Sequence, residues 1–99
     1  MSETPNVYHA GNTIRLQCIF EDFDGNRVNP SSVKITLYDN KYQKLQESLL
    51  SSGYRIGTGI YVYNYITSSD LEQRIVYEWY GEINGLPSLK RSSFRTVFI

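Results

Sequence analysis

The chain has 99 residues, enough for one modest hydrophobic core and too few for two. Ten acidic and ten basic side chains balance, so no bulk charge draws the protein to nucleic acid or to an anionic membrane. Residues 1–5 lack the runs of a secretory signal, and no apolar stretch approaches the roughly 20 residues of a membrane span. We therefore expect a soluble chain, in the cytosol or in an assembly formed there, folded as one domain over residues 1–99 with residues 1–6 as a flexible N-terminus.

The first half of the chain has the pattern of β-strands separated by turns. Apolar and polar residues alternate over residues 13–20, which is typical of a half-buried strand, and the alternation returns over residues 33–38. Residues 21–26 and 29–32 between them are rich in turn formers. Residues 42–48 are predicted to form a polar strand at the edge of a sheet.

The next segment is predicted to be a strand followed by a short helix. Residues 60–66 are β-branched and aromatic, which favours a strand. Residues 67–72 are the one place where we expect helix, because Ser69 and Glu72 have the spacing of a capping box. No apolar period follows them, so the helix should last one turn.

The last third of the chain is predicted to form a hairpin. Residues 74–83 alternate between apolar and polar, and Asn84 and Gly85 then give the strongest short signal for a type I′ turn. The final strand should run from about residue 88 to residue 98. A bulge is expected at Ser92 and Ser93, where the phase of the pattern is unclear.

Six or seven short strands with turns between them predict a sandwich or a small barrel, and the sandwich is the more economical fold. We expect an all-β, immunoglobulin-like β-sandwich of about seven antiparallel strands with at most one short helical turn. Two sheets about 10 Å apart can then bury their apolar faces against each other. The predicted core consists of Ile14, Leu16, Cys18, Phe20, Val33, Ile35, Leu37, Tyr77, Trp79 and Phe94.

Few residues are candidates for chemistry. A nucleophilic pair would need the single cysteine, Cys18, exposed beside the single histidine, His9, yet the alternation turns Cys18 inward as an inert core residue. The acidic run Glu21–Asn26 either is a solvated hairpin turn, which we prefer, or binds calcium weakly. We predict no catalytic residue, no metal site, no cofactor and no small-molecule substrate.

Lys90, Arg91 and Arg95 make the last strand locally basic. Such charges usually mark a solvated strand edge that discourages aggregation. A nucleic-acid surface would need a wider basic stripe with stacking aromatic rings, so we expect no nucleic-acid partner.

The strand at residues 60–66 is apolar on both faces. Tyr61, Tyr63 and Tyr65 share one face, and Ile60, Val62 and Ile66 share the other. One interpretation buries the tyrosine rings in a thick core with their hydroxyls at the rim. The other makes the tyrosines a partner surface, covered by a neighbouring chain or exposed as a ring-rich patch.

A series of landmarks along nearly the whole chain resembles an Ig-like module of tailed-bacteriophage structural gene clusters. The residues that carry the resemblance are Gly11, Ile14, Arg15, Leu16, Phe20, Asp22, Gly25, Asn29, Pro30, Val33, Gly59, Tyr61, Tyr63, Ser68, Asp70, Trp79, Gly81 and Phe94. The resemblance implies a virion or virion-associated protein without enzymatic activity, in a decoration, neck (head–tail), tail or fibre role.

Two functional hypotheses follow. The first is a structural or decoration protein of a bacteriophage virion, assembled in the host cytoplasm, whose partners are other virion proteins or further copies of itself. The second is an Ig-like binding module of a bacterial surface or carbohydrate-active protein, in which the tyrosine face would present rings to sugar. An enzyme is not expected, because one His and one inward Cys do not assemble a nucleophile, a base and an orienting group.

Overall fold

The computed structural model describes residues 7–98, and the expectation for residues 1–6 lies outside this range. Eight strands and one 3₁₀ turn, Ser52–Tyr54, make up the described chain. The strands are β1 (Val7–His9), β2 (Thr13–Ile19), β3 (Ser31–Tyr38), β4 (Lys44–Leu49), β5 (Arg55–Gly57), β6 (Ile60–Ile66), β7 (Gln73–Ile83) and β8 (Leu86–Val97).

The strands form two sheets. One sheet has five strands in the order β1-β8-β7-β3-β4, and the other has three in the order β2-β6-β5. This is the arrangement of an immunoglobulin-like β-sandwich, which confirms the predicted fold class. Two details differ from the prediction: there are eight strands, and β1 runs parallel to β8. The additional strands, β1 and β5, span only three residues each, too few to show a period in the sequence.

The core lies between the sheets and is built from alternate residues of β2, β3 and β7. Trp79 of β7 lies opposite Ile35 of β3, and both are fully buried. All ten predicted core residues lie in or against this core, although Tyr77 is only half-buried. The prediction omitted three further buried hydrophobic residues, Leu50, Tyr61 and Ile75.

Two turns depend on residues with positive φ. Gly59, between β5 and β6, has φ +72°, and a Cβ at this position would lie 2.6 Å from the carbonyl oxygen of Phe20. Only glycine fits there without moving the backbone. Asn84 and Gly85 have φ of 55° and 78°, the type I′ geometry predicted for the β7–β8 hairpin.

The predicted helix at residues 67–72 is wrong, because these residues are extended or bent and bond to other parts of the chain. The Thr67 hydroxyl accepts from the Gly11 amide and donates to the Asn12 carbonyl. The carboxylate of Glu72 accepts from the amide of Phe98 and does not cap a helix. These long-range bonds outweigh the local capping signal.

The predicted bulge at Ser92 and Ser93 is also wrong. The pairing of β7 with β8 continues without a shift from Gln73 opposite Thr96 to Ile83 opposite Leu86. The unclear phase has another cause: Ser92 faces inward at the open side of the sandwich, where an inward position need not be apolar.

Candidate interaction surface

The three tyrosines of β6 face the core. Tyr61 is 4% exposed, and its ring packs edge-on against Phe20 with the centroids 6.0 Å apart. Tyr63 and Tyr65 are half-buried against the same core, and Tyr65 lies edge-on to Phe94. The hypothesis of a partner surface is therefore wrong for Tyr61. The tyrosine rings of β6 pack against the core, as in the first of the two interpretations of the sequence.

The opposite face of the three-stranded sheet is consequently the outer one. Cys18 pairs with Tyr61 on the inner face, so the adjacent pair, Ile19 and Ile60, points outward. The same alternation places Val62 on the outer face and leaves Ile66 there 72% exposed. These residues form what we call the aliphatic face: Ile19, Ile60, Val62 and Ile66.

Charge distinguishes the outer faces of the two sheets. Strands β2, β5 and β6 contain no Asp or Glu, and Arg15 is the charged residue on the outer face of β2. The outer face of the five-stranded sheet instead carries ion pairs. Arg91 binds Glu78 at 2.6 Å across β8 and β7. Charged pairs of this kind are solvated, whereas an aliphatic surface without acidic groups is typical of a contact with another molecule.

The sequence signal for this face was partly visible. Ile60, Val62 and Ile66 stood out as the second apolar face of one strand. Ile19 was not singled out, although it breaks the sequence of polar outward residues Thr13, Arg15 and Gln17 along β2.

The structure does not bring His9 and Cys18 together as a reactive pair. Cys18 faces the core from β2, whereas His9 is exposed on β1, at the edge of the other sheet. Burial raises the pKa of the Cys18 thiol to about 11, and the nearby ammonium of Lys90 partly opposes this shift. The thiol is therefore protonated at neutral pH and a poor nucleophile.

The acidic run Glu21–Asn26 forms a tight turn. One carboxylate oxygen of Asp22 accepts from the amides of Asp24 and Asn26, at 3.0 and 2.9 Å. Within residues 7–98, no group of three or more His, Cys, Asp or Glu side chains is placed to hold a metal ion. The geometry here is that of the hairpin turn.

The basic residues of β8 point in different directions. Arg91 and Arg95 lie on the outer face, whereas Lys90 points inward, opposite Trp79. Its ammonium donates to the carbonyl oxygen of Ile19 in the other sheet. The three cations therefore do not form one stripe of the kind that tracks a nucleic-acid backbone.

The geometry defines an immunoglobulin-like sandwich whose smaller sheet presents an aliphatic surface without acidic residues to the outside. No protein family matches the chain, and neither does any curated protein or solved structure. Across residues 7–98, no helix is long and apolar enough to cross a membrane.

Proposed function

We propose that the chain is a non-catalytic structural protein of a bacteriophage virion, in a decoration, neck or tail-associated role. It acts through protein–protein contacts at the aliphatic face. The observation that carries this proposal is the outward orientation of four aliphatic side chains on a sheet whose strands contain no acidic residue. The resemblance of the sequence landmarks to phage Ig-like modules supplies the virion setting.

The partner proposed for the aliphatic face is another virion protein with an apolar strip of its own. Removing apolar surface from water contributes roughly 25 cal/mol per Å², so a contact that covers this face is favourable. Ile66 is largely exposed, and the half-buried Ile60 and Val62 lie on the same face of β6. Arg15, on the same face, favours a partner with an acidic group beside its apolar strip.

The experiment is a binding assay with virions purified from the phage whose genome encodes the chain. Val62→Lys places a charge in the middle of the aliphatic face, and Ile66→Lys does so at a more exposed position. Leu89→Lys is the matched control, because Leu89 is an exposed aliphatic residue on the outer face of the other sheet. Thermal unfolding of each variant verifies that it is folded.

We expect both variants of the aliphatic face to bind capsid or tail components at least about tenfold more weakly than the wild type. The Leu89 variant should bind as the wild type does. A wild-type chain that binds neither capsid nor tail would contradict the proposal. So would Val62→Lys and Ile66→Lys variants that bind undiminished.

The second hypothesis, a sugar-binding module, relied on exposed tyrosine rings. Tyr61 is buried, and Tyr63 and Tyr65 pack against the core, so they do not offer the open ring platform that sugar stacking needs. Tryptophan and tyrosine fluorescence should remain unchanged across a panel of glycans. A saturable change would revive this hypothesis.

A further inference from the structure

Phe23 is the most exposed large apolar side chain of the described residues, at 97%. It sits at the tip of a turn that backbone bonds hold in place: the amide of Asp22 donates to the Asn26 carbonyl, and the Asp22 carboxylate accepts from two further amides. Asp22 and Asp24 flank it on both sides. The turn therefore presents an aromatic ring to solvent, surrounded by negative charge.

A groove lies on the open side of the sandwich, between β2 and β8. These strands belong to different sheets. The edge strand β1 pairs with β8 only at Arg95–Val97, so the rest of β8 has no neighbouring strand on this side. The groove has a volume of about 400 Å³, within the size range of ligand pockets. Its walls include Cys18, Ile19, Tyr77, Trp79, Lys90 and Arg91.

The groove is complementary to the Phe23 turn in charge and in chemical character. Aromatic and apolar side chains line its interior, Lys90 is exposed beside it, and no Asp or Glu lines it. The ammonium of Lys90 also donates to a backbone carbonyl of β2, and Arg91, on the outer face, is paired with Glu78. Lys90 is therefore the cation that the groove offers to an acidic segment.

We infer that the occupant of the groove is the Phe23 turn of a second copy of this chain. Within one molecule the turn does not fill the groove, since Phe23 is almost fully exposed. Between molecules, the phenyl ring would pack on the apolar lining of the groove while Asp22 and Asp24 approach Lys90. This inference rests on the proposed function, since it assumes that the chain works through protein–protein contacts, and it names a second copy as one partner.

The contact is heterologous, because the turn of one molecule meets the groove of the next. Contacts of this type form rings when the rotation closes and open filaments when it does not. Each molecule keeps one free turn and one free groove until the assembly closes. Of the aliphatic face only Ile19 borders the groove, so the rest of that face stays available for another virion protein.

The test uses two variants that each lose one half of the contact, studied by sedimentation velocity over a concentration series. Phe23→Ser removes the aromatic ring, and Lys90→Glu reverses the charge beside the groove. Leu89→Ser is the matched control, since it removes an exposed aliphatic side chain of the same strand on the outer face. Because Lys90 also bonds to Ile19, the folded state of Lys90→Glu is verified by chemical unfolding.

We expect the wild type and Leu89→Ser to grow in mean mass with concentration. Each of the two variants Phe23→Ser and Lys90→Glu, studied by itself, should stay monomeric. An equimolar mixture of these two should stop at a heterodimer, because it combines one intact groove with one intact turn. Adding Asp24→Lys to Lys90→Glu in one chain should restore assembly by exchanging the charges.

A wild type that stays monomeric throughout would overturn the inference. So would assembly that persists in Phe23→Ser or growth of the variant mixture beyond two chains. The virion-binding assay separates this failure from failure of the proposed function, because it probes the aliphatic face with Val62→Lys, which leaves both the turn and the groove intact. Assembly without virion binding would contradict the proposed function alone.

Discussion

Gln46 and Tyr63 join the two sheets on one side of the sandwich, where Nε2 of Gln46 donates to the tyrosine hydroxyl at 2.5 Å. Lys90 and Ile19 join them on the other side, through the lysine ammonium and a backbone carbonyl. Each open side of the sandwich therefore has a polar tie between strands that share no ladder. These ties supplement the apolar core, since the single cysteine cannot form an internal disulfide.

Lys90→Met keeps most of the apolar stem and removes the tie to Ile19. Because Lys90 is exposed, we expect a loss of about 1 kcal/mol in the free energy of unfolding. Urea denaturation measures this loss, and Lys41→Met, in an exposed turn, serves as the control. Equal effects of the two substitutions would show that the tie contributes nothing.

Trp79→Ala should lower the free energy of unfolding by about 3–5 kcal/mol, because the indole is 1% exposed in the centre of the core. Tyr80→Ala, at the neighbouring half-buried position on the outer face, should cost about 1 kcal/mol. Chemical denaturation distinguishes the two. A loss below about 1 kcal/mol for Trp79→Ala would mean that the two faces of β7 are assigned the wrong way round.

Gly59→Ala and Gly85→Ala test the same backbone conformation with and without crowding. Both glycines have positive φ, but a Cβ on Gly85 meets nothing within 4 Å, whereas one on Gly59 would lie 2.6 Å from the Phe20 carbonyl oxygen. We expect Gly85→Ala to cost about 1 kcal/mol and Gly59→Ala about 3 kcal/mol or more. Thermal and urea unfolding provide the comparison. Similar losses would contradict the close backbone approach at Gly59.

The stability of the fold should decrease at high pH because of Cys18. Its pKa is raised by burial from 9.0 to about 11 in the folded protein. Below pH 9 the thiol is protonated in both the folded and the unfolded protein, so its full contribution to the free energy of unfolding is present. Between pH 9 and about 11 only the unfolded state loses the proton, so this contribution falls by about 2 kcal/mol.

Cys18→Val isolates this effect, since valine fills a similar volume and does not titrate. The difference in unfolding free energy between wild type and variant should shift by that amount across the same pH range, whereas tyrosine and lysine titrations affect both proteins alike. A difference that does not change with pH would mean that the Cys18 thiol is not desolvated.

The sequence predicted the faces of the long strands well, because the alternation of apolar and polar residues directly encodes which side is buried. Ile35 and Trp79, predicted to face the core, indeed lie opposite each other between the sheets. The alternation could not decide between the two faces of β6, because both are apolar. That choice depends on pairing with β2, where Leu16 lies opposite Tyr63.

The errors arose where local signals compete with distant contacts. Ser69 and Glu72 have the spacing of a capping box, but Glu72 binds the amide of Phe98, which follows the last strand. Lys90 and Ser92 obscure the phase of β8 because their inward side chains line a groove and not the packed core. The groove combines residues of β2, β7 and β8 that lie far apart in the sequence, so it becomes visible only in the folded chain.

The unbroken ladder of β7 with β8, closed by the type I′ turn at Asn84 and Gly85, has a consequence for the order of folding. A hairpin closes a short loop and forms in about 1–10 μs, whereas the β2–β6 pairing must first bring together distant parts of the chain. We expect the hairpin to be structured in the transition state. In refolding kinetics, Val76→Ala should mainly slow folding, and Leu16→Ala should mainly accelerate unfolding.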